Sequence, residues 1–322
     1  MSNAHSSATA MLFLHAQTSL HPGSGTALGV VDLPVQRERH TQWPLIPGSA
    51  LKGILRDACR EKARESYGGD RRRANEEDAQ LVAAFGPGKI SGEASTHAGA
   101  ISVSDARLLA FPVRSLRGVF AWVTCPAVLE RLNRDLTLAR RAPIDSLPQL
   151  DPRKREQAAC RPDSPLLLQD GAAQKLILEE FEFTWAAGVD AVAQWLSDHA
   201  VLDPFTKERI KSHLVVLQDD DFTHFVRHAT EVVARIGLDY EKKTVKEGAL
   251  FYQEFLPPET LFYSLVFAND SRFEKHPAKA ANVLSYLDQR LAEVGLLQVG
   301  GDETTGKGIC VVSLDTGKEG GQ

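Results

Sequence analysis

The chain has 322 residues, of which 43% are hydrophobic and 25% charged, and it carries a net charge of −5. That length allows one elaborated domain or two ordinary ones, and the balance excludes a disordered or fibrous chain. The negative charge counts against a protein that coats nucleic acid indiscriminately, since phosphate binding needs local positive potential; a concentrated basic patch stays open.

The longest apolar runs, such as Leu261–Ala268, fall far below the roughly 18 residues of a membrane-spanning helix. Met1–Ala10 lacks the basic start and apolar centre of a secretory signal. Cys59, Cys125, Cys160 and Cys310 are scattered and form no C-x-x-C pair, which predicts reduced thiols, a cytoplasmic chain and no structural zinc.

In chain order, Met11–Gln17 predicts a buried strand, and the Gly-, Pro- and Ser-rich His21–Gly29 a loop. An extended stretch follows, with Pro44 and Pro47 preventing a helix before Gly48. From Ser49 the period changes. Leu51, Ile54, Leu55, Ala58 and Cys59 form one apolar helical stripe, with Ser49 as N-cap and Gly68-Gly69 as stop. Residues 68–100 are charged and Gly-rich, apart from Leu81–Phe85, and predict an insertion. Ile101–Phe111 and Val119–Val123 predict strands, and the Pro- and Arg-rich Ala142–Pro165 a long loop. Lys175–Trp185 alternates, with Phe181, Phe183 and Trp185 on one side, as a half-buried strand. Ala249–Phe255 and Leu261–Phe267 are strands around Pro257-Pro258; Lys279–Val294 is a helix stopped by Gly295. Leu296–Val299 and Ile309–Leu314 form a terminal strand pair around a Gly-rich loop. This order predicts an α+β sheet with helices on one face.

Three segments carry candidate chemistry. The helix start Pro47–Gly53 offers unpaired N–H groups and a partial positive charge, and Lys52, Arg56 and Arg60 continue it as a cationic stripe. The same stripe also reads as an ordinary solvated face. Gly53 tips the balance, because a glycine inside a helix costs about 1 kcal/mol relative to alanine and so suggests close approach of a backbone or ligand. Next, Gly301–Lys307 fits G-x-x-x-x-G-K, but Gly308 replaces the Ser/Thr that would hold magnesium and a strand pattern follows instead of a helix. Asp302 and Glu303 would also repel a triphosphate, so the P-loop is rejected in favour of a flexible hairpin that approaches RNA, with Lys307 on a phosphate. The third is His21 and Asp32; a lone aspartate or histidine here is more commonly structural than catalytic. His224 and His228, spaced i, i+4, and Asp219–Asp221 are weaker metal-site signals.

Taken together, His21-Pro-Gly-Ser-Gly-Thr, Gly29-Val-Val-Asp-Leu-Pro-Val-Gln-Arg-Glu-Arg-His40, Ile46-Pro-Gly-Ser-Ala-Leu-Lys-Gly53 and Gly300–Gly308, in that order, resemble a known family. It is the fourth-subunit family of the Cmr module, the RAMP-superfamily backbone proteins of type III-B CRISPR effector complexes. The resemblance implies a modified RRM-like (ferredoxin-like) palm with inserted finger and thumb elements, in one domain over residues 1–322. The palm would lie mainly in 11–66, 101–125, 175–185 and 260–315, with insertions at about 68–100, 137–170 and 240–258. The partners implied are CRISPR RNA, complementary target RNA, further copies of the chain stacked head to tail, and other Cmr subunits, with no membrane and no nucleotide cofactor.

The resemblance also implies a metal-dependent endoribonuclease using magnesium or another divalent ion, with Asp32 catalytic and a possible magnesium ligand. His21 matches a neighbouring motif histidine, and Glu254 lies where a thumb carboxylate is expected. Ser49, Lys52 and Arg56 match positions that hold the guide backbone; Gly300, Gly301, Thr304, Thr305, Gly306, Lys307 and Gly308 form the RNA-binding loop. A carboxylate is too weak a base to take a hydroxyl proton at neutral pH, which casts Asp32 as a metal ligand or an orienter of water. The rival readings are a non-catalytic RNA scaffold in the same complex and a nucleotide hydrolase built on Gly301–Lys307.

Overall fold

A computed structural model describes residues 7–26, 29–88, 97–154, 156–239 and 241–317. Parts of five expectations lie outside them: residues 1–6 of the polar N-terminus, 27 and 28 of the first loop, 89–96 of the first insertion, 155 of the long loop and 240 of the last insertion.

The fold grows from a strand buried on both faces. In β1 (Ser7–Ala16), Ala10 through Leu14 are all at most 2% exposed, which explains a continuous apolar run instead of alternation. After it come β2 (Leu45–Ile46) and α1 (Gly48–Ala63), whose Leu51, Leu55 and Cys59 are fully buried as the period predicts. A 3-10 turn and left-handed Gly68 then stop the helix. The expected insertion folds into α2 (Arg71–Glu77) and α3 (Ala79–Phe85), capped by Asp70 and Asp78. Next are β3 (Ile101–Val103), β4 (Ala106–Arg114), β5 (Phe120–Thr124) and α4 (Pro126–Leu138).

Two expectations need correction. The Ala142–Pro165 loop contains a short buried strand, β6 (Gln157–Ala159). After β7 (Leu168–Asp170), Lys175–Trp185 is not one strand but a hairpin of β8 (Ala173–Leu178) and β9 (Phe181–Ala187), turning at Glu179 with φ 49°. Phe183 is buried while Phe181 is 38% exposed.

The chain continues through α5 (Asp190–His199), α6 (Pro204–His213), β10 (Leu214–Leu217) and α7 (Asp219–His228). It then forms the hairpin β11 (Glu231–Leu238) and β12 (Val245–Phe255). Finally come β13 (Leu261–Asn269), α8 (Ala280–Val294), β14 (Leu296–Gln298) and β15 (Ile309–Asp315).

Among the described residues, one large sheet runs β14-β15-β1-β13-β4-β5-β10-β6-β9-β8-β7, with β2 beside β4 and β3 beside β13. β1 pairs antiparallel with β13 and β15. Helices α1 and α8 pack on each other; α8 covers β1, β13 and β15. Phe13 of β1 also meets Trp195 of α5 edge-on at 5.9 Å. The pair β8–β9 sits towards the far end, beyond β5, β10 and β6. The hairpin β11–β12 is a separate two-stranded sheet. No helix among the described residues is long and apolar enough to cross a membrane.

Candidate active site and nucleic-acid interface

The segment 32–35 adds itself to the hairpin. Leu33 N–H donates to the Tyr252 carbonyl at 3.0 Å and Glu254 N–H to the Leu33 carbonyl at 3.0 Å, so Leu33 runs parallel to Gln253. This places Asp32 alongside β12, where its Oδ2 accepts the Tyr252 N–H at 2.7 Å. One carboxylate oxygen is thereby fixed by the backbone, and Asp32 stays partly exposed.

Glu254 is in a different situation. It is 6% exposed, and its carboxylate takes the Arg37 guanidinium on one oxygen and the Val35 N–H, at 3.0 Å, on the other. Arg37 spans further, donating to the Gln42 and Val226 carbonyls at 2.8 and 2.9 Å. Glu254 thus fastens the extended segment to β12 with a buried ion pair.

His21 is 7% exposed. Its Nδ1–H donates to the Glu254 carbonyl at 2.7 Å, which turns Nε2 to the other side of the ring. A Cβ on Gly23 would come within 2.9 Å of that Nε2, so glycine there keeps it unobstructed. On the other side, Gly301 N–H donates to the His21 carbonyl at 3.0 Å. Gly300, at φ 84°, lies so close that a Cβ would stand 2.2 Å from the same oxygen. His21 therefore joins the hairpin to the glycine loop.

That loop is a short 3-10 turn over Glu303–Thr305 leading straight into β15. A strand follows where a P-loop needs a helix, and the Asp302 carboxylate turns inward, taken by Arg235 and by Gln253 Nε2 at 2.6 Å. Burial raises the Asp302 carboxyl, but these donors outweigh it and hold it below the usual carboxylate range. Thr304, Thr305 and Gly306 are exposed, while Lys307 places its Nζ 5.2 Å from the centre of the Phe255 ring. Gly308 is buried against Val299.

The helix start departs from expectation. Pro47, not Ser49, occupies the N-cap, and no side chain of its own caps the helix. Asp105 does so from the β3–β4 connection, accepting the Gly48 N–H at 2.7 Å. Gly48 is the crowded glycine, since a Cβ would meet the Val103 carbonyl oxygen at 2.6 Å; Gly53 faces open space. Gly53 instead lines a groove of about 510 Å³ between α1 and β14, with Ala50, Asp57, Leu296, Gln298 and Glu303 on its walls.

Ser49 is exposed at the helix start. Lys52 is half-buried, and burial together with the Arg56 charge lowers its ammonium from the usual lysine range. Arg56 is also half-buried, reaching Asn75 Oδ1 at 3.3 Å and the Phe85 carbonyl at 3.5 Å, so it ties α1 to the insertion. Arg60 pairs with Asp57 and Glu61.

Neither weak metal signal gathers a ligand set. The His224 and His228 rings lie 4.8 Å apart, and Asp219 caps α4 through the Ala127 N–H at 3.0 Å. Among the described residues no three His, Cys, Asp or Glu side chains converge as metal ligands. Sequence reasoning missed Arg37, Arg235, Gln253 and Phe255. The β-branched run at Val232-Val233 was the available signal for β11.

This arrangement, with an extended N-terminal motif, a protruding hairpin and a glycine loop meeting beside one sheet, defines a class. The family model of the RAMP superfamily matches residues 13–311, and the chain belongs to that superfamily. It is 38% identical over 302 residues, 94% of each chain, to the CRISPR system Cmr endoribonuclease Cmr4 of Pyrococcus furiosus. Its fold matches the crystal structure of oligomeric Cmr4 from Pyrococcus furiosus with a TM-score of 0.64 at 30% identity, covering 96% and 98% of the two chains. The cryo-EM structure of the type III-B Cmr-beta bound to cognate target RNA contains a chain of the same fold, with a TM-score of 0.64, 21% identity and coverage of 95% and 96%.

Proposed function

We propose that the chain is the CRISPR-RNA-binding backbone subunit of a type III-B effector complex, and that stacked copies cut complementary target RNA at regular intervals. The observation that carries this reading is the 38% identity, along nearly the whole of both chains, to a protein named Cmr endoribonuclease. Supporting it, the Asp32 carboxylate stands at the edge of a protruding hairpin with one oxygen anchored.

The strand order β15-β1-β13-β4, with α1 and α8 as the covering helices, supports an RRM-like palm. The palm and its insertions form one domain over residues 1–322. In it the thumb is β11–β12, which extends the 240–258 insertion back to Glu231, and 68–100 and 137–170 are the other insertions. Ser49 and Lys52 hold guide phosphates beside the loop Gly300–Gly308, and Arg56 sets the surface they share with α2 and α3. Free, buried thiols at all four cysteines suit a cytoplasmic location.

In the reaction, a target 2′-oxygen attacks the adjacent phosphorus and the bond to the 5′-oxygen breaks. A 2′,3′-cyclic phosphate and a 5′-hydroxyl result; the proton lost from the 2′-hydroxyl goes to solvent, and the leaving oxygen gains one. Aligning these atoms requires a distorted strand, which the hairpin supplies by wedging between nucleotides. Asp32 orients the reacting phosphodiester. Among the described residues no set of protein ligands converges on a magnesium ion, so Asp32 would be the protein carboxylate that holds it, with RNA and water supplying the rest. Bound there, magnesium would offset charge gathering on the phosphate oxygens. His21 and Glu254, both buried, keep Asp32 in place.

Asp32→Asn in the assembled complex tests this. Cleavage of labelled complementary RNA should vanish while assembly on guide RNA persists; loss of assembly would make Asp32 structural, and persistent cutting would assign catalysis to a partner.

A further inference from the structure

The strand that carries Asp32 is held by β12, so the question becomes what holds β12. Among the described residues neither β11 nor β12 joins the large sheet as a strand. Apolar side chains of the hairpin are open to solvent: Val232 is 50% exposed, Ile236 52% and Leu250 54%. Packing therefore does little to fix the hairpin along its length, and its buried apolar anchor is at the base, where Phe255 is 1% exposed.

One restraint comes from the far end of the chain. Asp302, in the left-handed conformation at φ 65°, shares its carboxylate between Arg235 of β11 and Gln253 of β12. The triangle closes because Arg235 Nη1 also donates to Gln253 Oε1 at 2.7 Å. Gln253 is 3% exposed and is the residue that faces Leu33, directly after Asp32. The Arg235 guanidinium lies 5.8 Å from the centre of the ring of Phe255, which is on β12 with Gln253.

Asp302 itself sits in a loop that is fixed to the sheet. Gly301 N–H binds the His21 carbonyl at 3.0 Å, and Gly308 N–H binds the Ser19 carbonyl at 2.9 Å. Ser19 in turn donates to Glu231, at the base of β11, at 2.9 Å. The glycine loop and the hairpin are thus one hydrogen-bonded unit with Asp32 at its edge.

We propose that Asp302, Arg235 and Gln253 form a positioning relay that sets Asp32 through β12, so that the glycine loop and the carboxylate move together. RNA backbone seated on the loop then aligns the cutting group. The inference rests on the reading of Asp32 as the catalytic residue. None of the three touches the reacting atoms. Each acts by placing the Tyr252 N–H and the Leu33 bridge.

The test uses Asp302→Ala, Arg235→Gln and their double variant. In the assembled complex, cleavage at saturating target RNA should fall about 10- to 100-fold in each single variant, the range expected when a reacting group is displaced by about an ångström. Guide affinity should stay within about twofold in Arg235→Gln, whose side chain lies outside the glycine loop. The double variant should be no slower than the slower single one, as one unit requires. Asp302→Glu should recover part of the rate. In the purified full-length chain, amide exchange at Tyr252 and Leu33 should quicken in both single variants.

Weakened guide binding with an unchanged saturating rate would overturn the relay, making Asp302 a loop anchor; additive losses would overturn it as well. If the unmodified complex does not cut at all, the functional reading fails separately, and amide exchange decides the coupling. Faster exchange at Tyr252 upholds it, and unchanged exchange overturns it.

Discussion

Two antiparallel strand pairs in this molecule have similar ladders and opposite fates. β1 and β13 pair from Ser7↔Asn269 to His15↔Leu261, and β11 and β12 from Glu231↔Phe255 to Leu238↔Val245. The first pair buries nearly every side chain, Phe13 and Phe262 among them, beneath helices. The second leaves Val233, Leu238, Val245 and Tyr252 more than 40% exposed. A lone hairpin is at best marginally stable in water, and backbone hydrogen bonds contribute modestly because water competes for them. The lesson is that equal ladders do not mean equal rigidity. The first pair is held by apolar burial, and the second by polar contacts at its base: Glu254 with Arg37, Glu231 with Ser19, and Asp302 with Arg235 and Gln253.

Substitutions can break or sharpen that contrast. The largest effect belongs to the packed pair: Phe13→Ala should cost roughly 3–5 kcal/mol in chemical denaturation, through lost burial and the cavity left against Trp195. Next comes the pinned pair. Arg37→Ala leaves the buried Glu254 carboxylate without its cation and should cost about 3 kcal/mol, with protease sensitivity appearing first at the hairpin. A cost near zero would mean that the hairpin does not depend on its pins. The smallest effect is expected at the exposed face. Leu250→Thr should change the stability of the free chain by less than about 0.5 kcal/mol, while weakening RNA-dependent assembly. A large loss in the free chain would show that the apolar face is already covered.

How much was legible in the sequence follows from the same contrast. β1 announces itself as an unbroken apolar run because both of its faces are buried, and α1 and α8 because burial of one face imposes a period; Leu51, Leu55 and Cys59 stand where that period puts them. The β8–β9 turn stays hidden because Glu179 takes a left-handed conformation where sequence reasoning looks for glycine. β6 is three residues long, too short to show a period. β11 goes unread because its apolar residues are exposed, so no face is marked.

In the candidate site, Asp32 was visible through its motif. Its fixing donor, Tyr252 N–H, lies 220 residues away and depends on strand register, which no local pattern encodes. From sequence Asp302 is a charge that would repel a triphosphate, because no local pattern shows that Arg235 claims it. Ser49 had the chemistry of an N-cap, but Asp105 arrives from another element and takes the role. Gly53 carries the cost of a helical glycine without the close approach that cost suggests, since it faces open space beside β14, while Gly48 makes the close approach.

The exposed hairpin has a consequence for the cell that makes this chain. A ribbon with greasy side chains open to water is a template for accidental association, the kind of surface from which aggregates start. It is harmless once covered and hazardous while waiting. Surplus copies, made faster than whatever shields the ribbon, would stick to one another or be degraded.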